Sequence, residues 1–249
     1  MKTLITRTIT GIIYLILLGL AFFTSKYVLI AVFTVFMLIA IIEYINLTKK
    51  NYPTPHTSNL KPHTSNLKPQ TSNLKPHTSH LTPQTSHLIF LPVFWIIIPI
   101  LLLEFWCIKL QSTNIVVALV VILCTNDTLA YVFGSLFGKH KMWTKVSPKK
   151  SWEGFLGGLI STLIISWFFI KIPYFQDDIF STPYLWVGFA FVVIVAGTLG
   201  DFAESMLKRL ANQKDSGTIL PGHGGIFDRI DSLLLAIPAG FIYWLIVKI

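Results

Sequence analysis

The strongest constraint on this chain is a succession of apolar stretches that leave little room for anything but membrane helices. A spanning helix needs roughly 20 mostly apolar residues. Seven segments approach that length: 4–23, 28–47, 88–108, 115–137, 155–172, 184–207 and 232–247. The expected fold class is therefore all-α, a polytopic integral membrane helical bundle of about seven transmembrane helices, six to eight. Pro92 and Pro99 interrupt the third segment, so its helix is expected to be irregular. Charged residues make up only 12% of the chain, where a soluble domain carries about twice that share. Cys107 and Cys124 both fall in or beside apolar runs, which argues against a disulfide framework. The first run follows Lys2 and Arg7 and lacks a small-residue cleavage site, so it is expected to stay as a spanning helix.

Basic residues orient the bundle. With a cytoplasmic N-terminus, 16 of the 20 Lys and Arg residues fall on the cytoplasmic side. Lys26, Lys109, Lys171 and Lys248 remain outside, with Asp177 and Asp178 in an outer loop. The net charge of +9 suits nucleic acid, acidic lipid or a nucleotide substrate, and the membrane spans exclude nucleic acid. Lys2, Arg7, Lys49 and Lys50 are expected to set orientation and meet anionic lipid heads. Three regions follow: N-terminal transmembrane helices at 1–48, a cytoplasmic low-complexity linker at 49–87 and a transmembrane catalytic region at 88–249.

The linker repeats every seven residues from Pro55: PHTSNLK, PHTSNLK, PQTSNLK, PHTSHLT, PQTSHLI. A proline in each repeat forbids a continuous helix or a central strand. The same prolines and the polar Thr-Ser pairs exclude a coiled coil. A disordered spacer of about 35 residues is expected. Five of the seven histidines lie here, but nothing fixes them as ligands.

Charge is concentrated at 205–231, SMLKRLANQKDSGTILPGHGGIFDRID. This window holds Lys208, Arg209, Lys214 and Arg229 with Asp215, Asp228 and Asp231, and Asp201 and Glu204 lie just upstream. Both signs gathered beside a bilayer mark a functional site. Bases that hold phosphate oxygens, next to acids that hold a divalent cation, are the parts of phosphoryl chemistry. Lys208 and Arg209 also end an apolar helix, where cations are favourable in any case. The Pro221–Gly225 stretch, PGHGG with Gly224 and Gly225, can bring backbone N–H groups close to a phosphate or can be a simple turn. His223 suits a phosphate donor, a proton carrier or a turn residue. Asp228 and Asp231, spaced i, i+3, share a face if the last helix has begun. With Asp201 on the preceding antiparallel helix they can share Mg²⁺.

Two further stretches belong with this window. In NDTLAYVFGSLFGKHKM, Asp127 lies inside an apolar run, where a carboxylate needs a hydrogen-bond partner or a function. Gly134 and Gly138 suit close helix packing. In KVSPKKSWEGFLGG, Ser147-Pro148 marks a break and Ser151 is placed to cap a helix carrying Glu153. That helix N-terminus, preceded by Lys149 and Lys150, is also an anion site suited to a triphosphate.

From Ser205, the run Leu207, Lys208, Arg209, Lys214, Asp215, Gly217, Leu220, Pro221, His223, Gly224, Gly225, Ile226, Asp228, Arg229, Ile230 and Asp231 resembles the full signature of the phosphatidate cytidylyltransferases, the CDP-diacylglycerol synthases. NDTLAYVFG and SPKKSWEG resemble that family's cytoplasmic-side motifs. The resemblance implies a dimeric membrane enzyme that converts CTP and phosphatidic acid into CDP-diacylglycerol and pyrophosphate. It places the family's metal-binding aspartates on Asp201 and Asp228, beside Asp231. Its phosphate-contacting and otherwise essential positions fall on Ser205, Lys208, Arg209, Lys214, Asp215, His223 and Arg229. Asp127, Ser147, Lys149, Lys150, Ser151, Gly224 and Gly225 complete the expected substrate side. Mg²⁺ is the implied cofactor, with a monovalent cation such as K⁺ sharing the site. A plasma (inner) membrane location is expected for a bacterial chain, with the active site facing the cytoplasm.

Two other readings compete. One keeps CTP but changes the acceptor, to a polyprenol or another lipid phosphate. The other is a transporter, because Asp127, Asp201 and Glu204 can line a pathway. No inverted internal repeat supports transport, and the polar residues gather on one membrane face. The repeat lies outside every charged motif, so deleting residues 55–86 is expected to leave most CTP-dependent turnover of phosphatidate intact. A folded deletion variant without turnover would contradict the spacer role.

Overall fold

A computed structural model of the chain describes residues 19–21, 24–51, 93–219 and 224–249. These residues form a polytopic membrane helical bundle. Five helices are long and apolar enough to cross a membrane, and Phe94–Ile108 forms a shorter apolar helix. The expected first span, apart from residues 19–21, and the heptapeptide repeat lie outside the described residues.

Helix α1 spans Lys26–Asn51. Its buried stripe of Leu29, Phe33, Phe36, Ala40, Tyr44 and Leu47 follows helical spacing. Val35, Leu38 and Ile42 remain exposed on the other side, as a lipid-facing surface requires. A π-helical turn at Val93–Ile97 leads into α2, Ile98–Ile108, with Pro99 in its first turn. Proline fits there because the first N–H groups of a helix have no intrahelical acceptor. The expected irregularity of this span is thus a widened turn followed by a short helix. Thr34 Oγ1 lies 2.7 Å from Glu104 Oε1 and joins α1 to α2.

Helix α3 spans Thr113–Phe137 and α4 spans Trp152–Trp167. Between them lies an antiparallel hairpin of β1, Lys141–Trp143, and β2, Ser147–Ser151. This hairpin is an addition to the all-α expectation, which placed only a break at Ser147-Pro148. A proline is tolerated because both strands are edges. Ser151 ends β2 and caps α4, its Oγ accepting from Gly154 N–H at 3.2 Å. Glu153 turns back instead, accepting from Lys139 and His140 N–H at 3.2 and 3.1 Å and meeting His140 Nδ1 at 2.6 Å. Hairpin and helix start are therefore locked to the end of α3.

Small residues let α3 and α4 approach closely. A Cβ on Gly158 would lie 2.9 Å from both Ala130 Cβ and Asn126 O. A Cβ on Gly134 would lie 3.5 Å from Gly154 Cα, which bears out its packing role. Two 3₁₀ turns, Phe169–Lys171 and Pro173–Phe175, connect α4 to α5, Pro183–Leu210. The last helix, α6, spans Phe227–Lys248. It starts five residues before the expected span, because charged Asp228, Arg229 and Asp231 mask its first turn in hydropathy. Trp106 on α2 packs edge-on against Phe189 of α5 and Phe241 and Trp244 of α6, with ring centroids 5.4–6.4 Å apart.

Gly158→Leu is expected to force α3 and α4 apart and cost about 1–3 kcal/mol, the usual penalty of overpacking. Thermal unfolding in detergent checks this, and an unchanged midpoint would contradict the close approach.

Candidate active site

The end of α5 carries a helical stripe of polar residues: Asp201, Ser205 and Lys208, with Glu204 one position away. Helix α6 begins alongside and presents Asp228 and Asp231. Lys208 Nζ forms an ion pair with Glu204 and donates to Asp228 Oδ1 at 2.7 Å. The three side chains are only 11%, 0% and 10% exposed, so this cation is enclosed by its two acids. Lys208 is therefore more than a cation favoured by a helix C-terminus. It ties α5 to α6.

Asp228 also organises the loop between these helices. Its Oδ2 accepts from Gly225 N–H at 2.8 Å and Ser216 N–H at 3.0 Å. Gly224 lies in the left-handed region, φ +87°, and a Cβ there would come within 2.5 Å of Asp228 Oδ2. Glycine at 224 is thus required twice, by its dihedral and by the carboxylate. Leu220, Pro221, Gly222 and His223 lie outside the described residues, so the roles expected for His223 do too.

A second cluster surrounds a cavity of about 510 Å³ walled by α3, the hairpin, α4 and α5. Asp127, Lys149, Lys150, Ser151 and Asp201 all line it. Lys150 forms an ion pair with Asp201 and sits 4.7 Å above the Phe202 ring. Asp201 accepts from Ser205 Oγ at 3.2 Å. Asp127 lines this cavity and is exposed to it, with the Asn126 side chain as a hydrogen-bond partner. Asp231 Oδ1 accepts from Ser232 N–H at 2.6 Å. Asp231 lies within electrostatic range of Asp201, Lys208 and Lys150, which joins the cavity to the Lys208 cluster.

The other expected site residues are placed less centrally. Ser147 pairs with Trp143 at the start of β2 and is not part of the cavity wall. Arg209 turns away, donating from Nε to Val146 O at 3.3 Å and from Nη1 to Gln213 O at 3.1 Å, which anchors the hairpin to α5. Lys214 and Asp215 are exposed in the loop, and Arg229 is exposed on the first turn of α6. Gly225 is buried beneath the loop.

Sequence reasoning missed three participants. Ser216 is buried, and its N–H is held by Asp228. Asn126 lines the cavity with a buried Oδ1 that has no hydrogen-bond partner. Glu43 on α1 is 3% exposed and accepts from Phe227 N–H at 2.8 Å. A lone acid within an apolar run was the available signal for Glu43.

For Mg²⁺, the orphaned Asn126 oxygen beside Asp127 and Asp201 is a hard-oxygen set of the right kind. Among the described residues no three His, Cys, Asp or Glu side chains form a metal cluster. Mg²⁺ does not need one, since it binds through one or two carboxylates, waters and substrate phosphates. Asp228 fits this role less directly because Lys208, Ser216 and Gly225 already engage its oxygens.

The arrangement is a cavity between apolar helices with lysines and carboxylates facing one another across it. Residues 56–247 match the model of the cytidylyltransferase family, and the chain belongs to that family. It is 45% identical over 113 residues to a phosphatidate cytidylyltransferase of Staphylococcus aureus (strain COL), covering 45% of this chain and 42% of the relative. It is 40% identical over 136 residues to that of Staphylococcus haemolyticus (strain JCSC1435), covering 54% and 50%. A Staphylococcus saprophyticus relative of the same name is 48% identical over 115 residues, covering 45% and 42%. The chain thus spans half or less of the length of the curated relatives it matches.

Lys208→Ala would leave Glu204 and Asp228 facing each other, and breaking such a buried pair costs about 3–5 kcal/mol. Lys150, 30% exposed, is expected to cost less when replaced by Ala. Unfolding of the two variants in detergent checks the order, and a more damaging Lys150→Ala would contradict the enclosed role of Lys208.

Proposed function

We propose that the chain is a phosphatidate cytidylyltransferase, forming CDP-diacylglycerol and pyrophosphate from CTP and phosphatidate. The observation that carries this reading is the 510 Å³ cavity on which Lys149, Lys150, the capped start of α4 and the Asp127–Asp201 carboxylates converge. Its volume lies in the range of small-molecule sites, about 300–1,000 Å³. Relatives bearing this activity in their names support the choice of phosphatidate as acceptor.

The reaction needs little covalent help from the protein. A phosphate oxygen of phosphatidate attacks the α-phosphorus of CTP, a new P–O bond forms, and the α–β bridging P–O bond breaks. The bridging oxygen leaves with pyrophosphate and keeps the bonding electrons. The lipid phosphate is already an anionic nucleophile, so no strong base is required. Catalysis consists of positioning and charge neutralisation. Lys149 and Lys150, placed just before the positive N-terminal end of α4, hold the triphosphate. Lys150 exchanges its Asp201 partner for phosphate oxygens as CTP enters. Lys208, neutralised by Glu204 and Asp228, holds α5 and α6 in place behind the site rather than meeting the substrate charge itself.

Mg²⁺, held by Asp201 with Asp127 or Asp231 and the Asn126 oxygen, would neutralise triphosphate charge and favour departure of pyrophosphate. A monovalent cation such as K⁺ would suit the remaining carboxylate. For the lipid, Phe155 in the cavity wall is followed along α4 by exposed Leu156 and Ile160, an apolar route for acyl chains. The site would open to the cytoplasm of a plasma (inner) membrane, in agreement with the distribution of basic residues. A homodimer is the expected assembly.

The test is CTP- and Mg²⁺-dependent formation of CDP-diacylglycerol by the purified chain in detergent, with a polyprenol offered in parallel and Asp201→Asn as control. Product from phosphatidate that falls by about 100-fold or more in the variant is expected, the scale of losing an electrostatic stabiliser. Phosphorylated polyprenol without CDP-diacylglycerol would contradict the reading.

A further inference from the structure

We infer that Glu43 is a positioning residue for the reaction, a carboxylate from α1 that fixes the two ends of the signature loop and the start of α6. This inference rests on the proposed cytidylyltransferase function for its kinetic consequence, but the geometry stands by itself. Glu43 Oε2 accepts from Phe227 N–H at 2.8 Å and Ser216 Oγ at 3.2 Å, while Oε1 accepts from Ile226 N–H at 3.3 Å. Ile226 occupies the cap position of α6 with helical dihedrals and no capping side chain of its own. The first N–H groups of a helix lack intrahelical partners. Glu43 supplies one from a helix more than 170 residues away in sequence, and its charge suits the positive helix end.

The loop is thus held between two carboxylates. Glu43 joins the Ser216 hydroxyl to Ile226 and Phe227 N–H, and Asp228 joins Ser216 N–H to Gly225 N–H. Both acids bring the same two ends of the loop together. The loop glycines answer to Glu43 directly: a Cβ on either Gly217 or Gly225 would stand 2.7 Å from Glu43 Cδ. Two glycines of the signature are therefore explained by a residue outside it. Glu43 also precedes the residues matched to the family, 56–247. Because it does not line the cavity, it acts by placing Asp228, and through Asp228 the ammonium of Lys208.

The experiment compares Glu43→Ala and the near-isosteric Glu43→Gln with wild type in the full chain, in detergent. Two readouts are followed: steady-state formation of CDP-diacylglycerol, and the rate of tryptic cleavage after the exposed loop residue Lys214. In Glu43→Ala, kcat is expected to fall by about tenfold, with KM for CTP within about threefold of wild type. Glu43→Gln retains one acceptor oxygen and should fall between them. Cleavage after Lys214 should accelerate in both. Wild-type kcat and cleavage in the folded variants would overturn the inference. If Glu43→Ala does not fold, Glu43→Gln decides: a kcat reduced by about threefold or more supports the role, and an unchanged one overturns it. If wild type itself makes no CDP-diacylglycerol, the functional reading fails, and cleavage alone decides: acceleration supports the loop clamp, no change overturns it.

Discussion

The junction of α5 and α6 is arranged around one enclosed cation, Lys208, held between Glu204 of its own helix and Asp228 of the next. An ion pair removed from water pays back its desolvation only when further hydrogen bonds complete it. The Asp228 side of the pair is completed in this way, because Asp228 also accepts the N–H groups of Ser216 and Gly225. The network thereby fixes two things together: the contact of α5 with α6, and the approach of Ser216 to Gly225 at the two ends of the loop between them. Hydrophobic packing around Trp106, Phe189 and Trp244 holds the helices side by side, but it carries no comparable directional information.

The bilayer explains why the rest is built by close approach. Apolar side chains gain little by leaving lipid for one another, so small residues and interhelical hydrogen bonds must join the helices. Gly158 against Ala130 brings α4 onto α3, and the Ser151 cap fixes where α4 begins. The hairpin before it then sets Lys149 and Lys150 at the cavity, opposite Asp201. Arg209 joins the two halves by reaching Val146 of the hairpin turn. The shape of the cavity and the packing of the helices consequently depend on the same few residues.

Much of this was legible because it is local. The apolar runs located the spans from 26 to 48 and from 113 onward, the Ser151 cap followed from a serine before a helical pattern, and Asp127 stood out as an acid in an apolar run. The hairpin was not legible, since its strands carry lysines and a proline and show no alternation. The first turn of α6 was hidden by its own charges. Arg209, expected at a phosphate, instead contacts backbone carbonyls, which spacing alone does not reveal. Glu43 was invisible as a cap because its partners lie more than 170 residues away and no local pattern announces them. Local chemistry marks a charged residue as important; only the tertiary contact says what it holds.

The proposed reaction brings a nucleotide α-phosphorus to a lipid phosphate at the cavity between α3, α4 and α5. The most direct measurement follows label from CTP carrying ³²P at the α or the γ position into the lipid fraction, with phosphatidate as acceptor. Cytidylyl transfer places α-label in the lipid and leaves γ-label in released pyrophosphate. Lipid carrying γ-label would make the chain a kinase, and would contradict the chemistry assigned to this site.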